Sequence, residues 1–83
     1  EQPDDALENY QQALAIYREL GHTERTADQC TNIAYTRFML QDHADALRSY
    51  REALSLYTAA GSESKLRFTA ENVERLAAVL GES

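Results

Sequence analysis

Apolar and small residues recur along this chain at helical spacing, and one stretch is written twice. Ala6–Gly21 reads ALENYQQALAIYRELG, and 40 residues later Ala46–Gly61 reads ALRSYREALSLYTAAG. Ala6, Leu7, Tyr10, Ala13, Leu14, Tyr17 and Gly21 return as Ala46, Leu47, Tyr50, Ala53, Leu54, Tyr57 and Gly61. Spacings of i, i+1, i+4, i+7, i+8 and i+11 lie on one face of an α-helix and are foreign to the alternation of a strand. Small Ala alternates with large Leu and Tyr, so a second helix can come close at Ala and be gripped on either side. One helix built twice at a fixed period points to a repeat architecture.

The pattern predicts four helices. Pro3 at a first helical position wastes no hydrogen bond, and Asp4 and Asp5 suit the positive end of the helix dipole, so the first helix is expected over about 3–20. Gly21 then supplies the left-handed residue that closes it. A second helix follows over about 24–40, with Thr23 as N-cap and Ala27, Cys30, Ile33, Ala34 and Leu40 as its core stripe. Asp42 caps a third over about 43–60, which Gly61 ends as Gly21 ends the first. Ser62 or Ser64 starts a fourth, over about 64–80, with stripe Leu66, Ala70, Val73, Ala77 and Leu80. The offset of 40 persists more weakly in the second pair: Asn32 matches Asn72, Leu40 matches Leu80, and Ile33 pairs with Val73. Two helix types therefore alternate, B-A-B-A. The expectation is an all-α chain of antiparallel helix pairs stacked as a short solenoid.

Length and charge narrow the function classes. Eighty-three residues make one small domain, 1–83, and a chain of this size buries only about 60% of its unfolded surface. The net charge of −6, with no basic stripe, argues against nucleic acid, whose phosphates need Lys and Arg to release counterions. No apolar run approaches a membrane span. A single cysteine, Cys30, excludes an internal disulfide and any Cys-based zinc cage, which suits a reducing compartment and a cytoplasmic location. The chain begins with Glu and has no signal-like start, so it reads as a fragment of a longer array.

These residues resemble the tetratricopeptide repeat family. Counted from Ala27, Asn32-Ile33-Ala34 looks like the family's Asn-Leu-Gly on helix A. Ala46-Leu47, Tyr50 and Ala53-Leu54 look like its Ala-Leu, aromatic, Ala-Leu signature on helix B. The period of 40 is similar to the longer-helix branch of kinesin light chains, cell-polarity adaptors and bacterial peptide receptors. The resemblance implies a right-handed superhelix whose A helices line a concave groove holding an extended peptide or a partner helix. Three departures stand out. Cys30 replaces a frequent Trp, and Arg37 replaces a buried Tyr. Glu74 stands where helix A needs a small residue to receive the next helix B, and marks either a polar terminal cap or an excision point. At Arg37 either the stem packs while the guanidinium snorkels outward, or Phe38 takes the aromatic role.

Catalysis finds little to work with. Glu19 and His22 have the spacing of a di-iron ligand pair, but Gly21 breaks the helix that would hold both, and the motif occurs once where such sites need two. His43 reads as an exposed turn residue, and Cys30 on the apolar stripe as an inert small hydrophobe. Tyr10, Tyr17, Tyr50 and Tyr57 read as core. No catalytic residue, cofactor or metal site is expected.

The faces of the A helices away from the core say more. Helix two shows Asp28, Thr31, Asn32, Tyr35 and Met39, and helix four shows Phe68, Asn72, Arg75 and Val79. A purely solvated face is rich in Lys and Glu, whereas an apolar floor with a few placed polar groups is what a binding groove needs. Each Asn amide offers one donor side and one acceptor side, which matches a peptide unit. The alternative is that a neighbouring repeat or subunit covers these residues. The reading is a non-enzymatic interaction module gripping a protein or peptide partner along this groove. Its rival is a self-assembly segment that stacks on copies of itself through the uncovered face of the first helix.

Overall fold

A computed structural model describes residues 3–82. Four α-helices follow one another: α1 (Pro3–Glu19), α2 (Thr23–Met39), α3 (His43–Ala60) and α4 (Glu63–Val79). Each packs on its neighbour in sequence. The result is a flat stack of 36 × 32 × 16 Å, two helix layers thick, in the form of a helical-repeat solenoid. α1 and α3 form one layer, α2 and α4 the other.

The helix ends follow one local rule. Gly21 (φ 74°) and Gly61 (φ 73°) are left-handed, as their position after each B helix predicts. Gln41 (φ 68°) and Gly81 (φ 75°) take the same conformation after the A helices. In each case the next residue's N–H bonds back to a carbonyl five positions earlier. His22 bonds to Tyr17 at 3.0 Å, Asp42 to Arg37 at 2.8 Å, Ser62 to Tyr57 at 3.0 Å and Glu82 to Ala77 at 2.8 Å. This double-bonded turn satisfies carbonyls that the helix end would leave open. The starts are less faithful to expectation. His22, not Thr23, flanks α2, and no side-chain cap bond forms at His22, Asp42 or Ser62. Tertiary partners take those side chains instead: Ser62 Oγ donates to Glu24 at 2.7 Å, and Asp42 lies 3.4 Å from Arg37.

Two clusters make the core. Ala34, Ala46, Leu47, Tyr50 and Leu76 form one, joined by Val73 and Ala77. Ala27, Cys30, Ala53 and Tyr57 form the other, joined by Leu14, Leu56 and Leu66. Ala27, Ala34, Ala46 and Ala53 are fully buried, so α2 and α3 approach antiparallel at their alanines. Burial pushes the Cys30 thiol up to about 11, with the Glu52 carboxylate adding to it, which keeps the sulfur protonated and inert.

Three expectations need correction. The buried residues of α4 are Thr69 and Leu76, neither of which is on the predicted stripe, while Leu66, Ala70, Val73 and Ala77 are only half-buried. α4 packs mainly on α3, so the side turned to α3 buries and the rest stays largely open. Leu40 and Leu80 lie past their helix ends and are exposed. His43 is not an exposed turn residue: its ring lies 5.1 Å from that of Phe38, with Nδ1 buried and unbonded. Arg37 is explained by two carboxylates, Asp42 at 3.4 Å and Asp45 at 3.6 Å, which receive its guanidinium above a packed stem.

Candidate functional site

α2 and α4 run side by side in one direction with α3 beneath them, so their outer faces form the two walls of a shallow trough. Of the apolar residues expected there, Tyr35 and Phe68 line the trough, while Met39 and Val79 are exposed in the last turns of α2 and α4. Tyr35 is 58% exposed, Met39 59%, Phe68 61% and Val79 66%. Exposed residues of this size carry no core function where they stand. Asn32 is exposed and donates no side-chain hydrogen bond within the described residues. Asn72 is half-buried and already engaged, its Nδ2 donating to Phe68 O at 3.2 Å and its Oδ1 accepting from Arg75 at 3.1 Å.

The trough has two pits. One, of about 170 Å³, is lined by Tyr35, Phe38, Tyr50, Asn72, Arg75 and Leu76. The other, of about 230 Å³, is lined by Thr31, Tyr57, Ser64, Lys65, Phe68 and Thr69. Tyr50 and Tyr57 come from α3 and form the floor, one lining each pit. The sequence assigns them to the core, where they are indeed 5% and 3% exposed. Their second role depends on the gap between α2 and α4, which no single helix announces.

The two ends of the trough differ. At the end where the A helices start, Lys65 of α4 reaches Glu24 at 2.8 Å and Asp28 at 3.2 Å on α2. Tyr57 Oη donates to Asp28 at 2.5 Å, with Thr31 Oγ1 3.4 Å away, while Thr31 also donates to Ala27 O. Burial and this bond to Asp28 push the Tyr57 phenol up to about 12. Lys65 is raised by Glu24 and Asp28, and Glu24 is lowered by Lys65. Asp28 and Thr31 are therefore tied into a cross-helix bridge. The opposite end, at Tyr35, Met39, Arg75 and Val79, has no such bridge among the described residues and is mostly apolar.

Nothing in this arrangement resembles a catalytic constellation, and no cluster of three His, Cys, Asp or Glu side chains suited to a metal occurs among the described residues. No described helix is long and apolar enough to cross a membrane.

The comparisons with known proteins follow the same lines. A family model described as tetratricopeptide repeat matches residues 1–59. The solution NMR structure of a designed protein, DA05, superposes with a TM-score of 0.85 over 95% of this chain and 80% of that one, at 19% identity. At that identity the likeness concerns the fold alone. No curated protein matches the sequence.

Proposed function

The chain belongs to the tetratricopeptide repeat family, whose members serve as protein-interaction scaffolds, and from that premise we propose that it holds an extended peptide in the trough between α2 and α4. The observation that carries this is the row Tyr35, Met39, Phe68 and Val79, each more than half exposed on the common face of the two A helices. Solvent would not select such a row, and burying it against a ligand is worth roughly 25 cal/mol per Å² of apolar surface. Packed helices of one layer and an extended peptide advance on commensurate scales, about 8–10 Å against about 3.3 Å per residue. Asn32 and Asn72 thus address peptide units about three residues apart, with the two pits taking side chains between them. Asn32 is ready to bond, while Asn72 exchanges its own-helix bond for one to the peptide. Such a module needs no catalytic residue and no cofactor. The single buried thiol fits a reducing, cytoplasmic setting.

Selection from a random peptide library on the immobilised chain tests the reading. Enriched sequences should lose at least about tenfold in affinity to the Asn32→Ala/Asn72→Ala chain, and again to Phe68→Ser, with melting unchanged. A peptide bound equally well by both variants would place recognition elsewhere.

A further inference from the structure

The pit at the apolar end of the trough holds more polar chemistry than an apolar floor requires. Three helices of the chain enclose it: α2 through Tyr35 and Phe38, α3 through Tyr50, and α4 through Asn72, Arg75 and Leu76. Tyr50 and Leu76 are buried and Arg75 is exposed, so the pit runs from an apolar bottom to a cationic mouth. Its volume of about 170 Å³ is close to that of a cavity that accepts one benzene ring, about 150 Å³. Three aromatic rings line it, and ring pairs gain from offset and edge contacts beyond the area they bury.

The polar groups of the pit are mostly donors. Arg75 meets no carboxylate among the described residues, and its guanidinium donates to Asn72 Oδ1 at 3.1 Å. Asn72 Nδ2 donates one hydrogen to Phe68 O at 3.2 Å and keeps the second. Tyr50 is only 5% exposed, yet its hydroxyl has no hydrogen-bond partner among the described residues. Burial, with Tyr35 adding to it, raises that phenol, which keeps its proton and remains a donor. A guanidinium, an amide N–H and a phenol O–H thus line one small volume that contains no acid. Buried donors are costly without an acceptor.

We infer that this pit binds a small free aromatic carboxylate, its ring between Tyr35, Phe38 and Tyr50 and its carboxylate accepting from Arg75, Asn72 and Tyr50. Charge rules out the opposite guest. An aromatic-walled pit also suits a quaternary ammonium, but the Arg75 guanidinium repels it and no lining carboxylate offsets that repulsion. The surplus of donors speaks against an aromatic residue at a peptide's end. Such a residue brings its own N–H, which needs an acceptor, and Asn72 Oδ1 is already taken by Arg75. A free carboxylate brings acceptors alone. Binding here requires no peptide in the trough; where the peptide reading holds, the acid also closes one of the two side-chain pits.

The test titrates the ¹⁵N-labelled chain with hydrocinnamate, which joins one ring to one carboxylate by a short chain. A dissociation constant on the order of millimolar is expected for so few atoms, with saturable shifts centred on Tyr35, Asn72, Arg75 and Leu76. Hydrocinnamamide keeps the ring and loses the charge, and butyrate keeps the charge and loses the ring. Each should bind at least about fivefold more weakly, and phenethylammonium more weakly still. Arg75→Gln should abolish the preference for the acid over the amide, and Tyr50→Phe should reduce it about threefold. The preference is a ratio within one variant, so a general loss of fold would lower both ligands alike. Equal binding of acid and amide, an unchanged preference in Arg75→Gln, or shifts centred on Thr31 and Thr69 of the other pit would overturn the proposal. So would N-acetylglycylphenylalanine binding more than about tenfold tighter than hydrocinnamate, which would assign the pit to a peptide end. None of these ligands spans the trough, so their failure would leave the outcome of the peptide selection untouched.

Discussion

α1 and α3 carry the same seven residues on one face, and the structure treats them differently. α3 buries Ala46, Leu47, Tyr50, Ala53 and Tyr57, whereas α1 buries none of its residues. Nothing in the helices themselves accounts for this. α3 lies between α2 and α4, while α1 packs mainly on α2 and touches α3 through the Arg18–Glu52 ion pair. Burial in a repeat stack is thus conferred by neighbours, and stability resides in the interfaces between helices more than in any one of them. The contrast also separates two kinds of information that the repeated motif contains: a helix with a grip, and a place where something is gripped.

The largest test of this contrast is a matched pair of truncations. Tyr57→Ala should cost about 3–5 kcal/mol, the range for removing a buried ring, and a domain this small is expected to be largely unfolded by it. Tyr17→Ala should cost less than about half as much. Thermal or urea denaturation of both variants reads the difference, and equal losses would break the comparison. Enlarging the small positions should follow the same split. Ala53→Leu is expected to cost about 1–3 kcal/mol by overpacking against Ala27, and Ala13→Leu to stay within about 0.5 kcal/mol.

Alkaline pH probes the buried copy without mutation. The Cys30 thiol, raised from 9.0 to about 11, and the Tyr57 phenol, raised from 10.0 to about 12, are held protonated in the fold. Above pH 9 the unfolded chain releases these protons before the folded one does. Their stabilisation is complete below the unfolded values and lost as pH rises through the folded ones. The melting temperature should therefore fall between about pH 9 and pH 12. Cys30→Ala should remove the lower part of that fall and Tyr57→Phe the upper part. A flat profile across the range would contradict the assignment.

The smallest effects should be alike in both copies, because they are local. A Cβ added at Gly21 or Gly61 would meet nothing within 4 Å, so only the positive φ opposes it. Gly21→Ala and Gly61→Ala are each expected to cost up to about 1 kcal/mol. Gln41→Gly, at the same conformation after α2, should stabilise by about 0.5–1 kcal/mol. A large difference between the two glycines would show that their turns sense the packing around them.

Much of this protein is local in origin, and that part is legible along the chain. The four helices, their type, their alternation and the left-handed turns at Gly21 and Gly61 follow from spacing and from the conformational freedom of single residues. The family follows from the Ala-Leu, Tyr, Ala-Leu grip in Ala46–Leu54. The outward residues Asn32, Tyr35, Met39, Phe68, Arg75 and Val79 follow as well, because they lie away from the core stripe of helices whose period is known. What lies between helices was not legible. The burial of Thr69 and Leu76 reflects α4 packing mainly on α3. The floor that Tyr50 and Tyr57 give the trough needs a gap between two helices far apart in sequence. Asp28 reads as an outward residue until Tyr57 and Lys65, 29 and 37 positions away, converge on it. Helical periodicity specifies which face of each helix can be buried, but only the placement of neighbours selects how much of that face is used and which polar groups it brings within bonding distance.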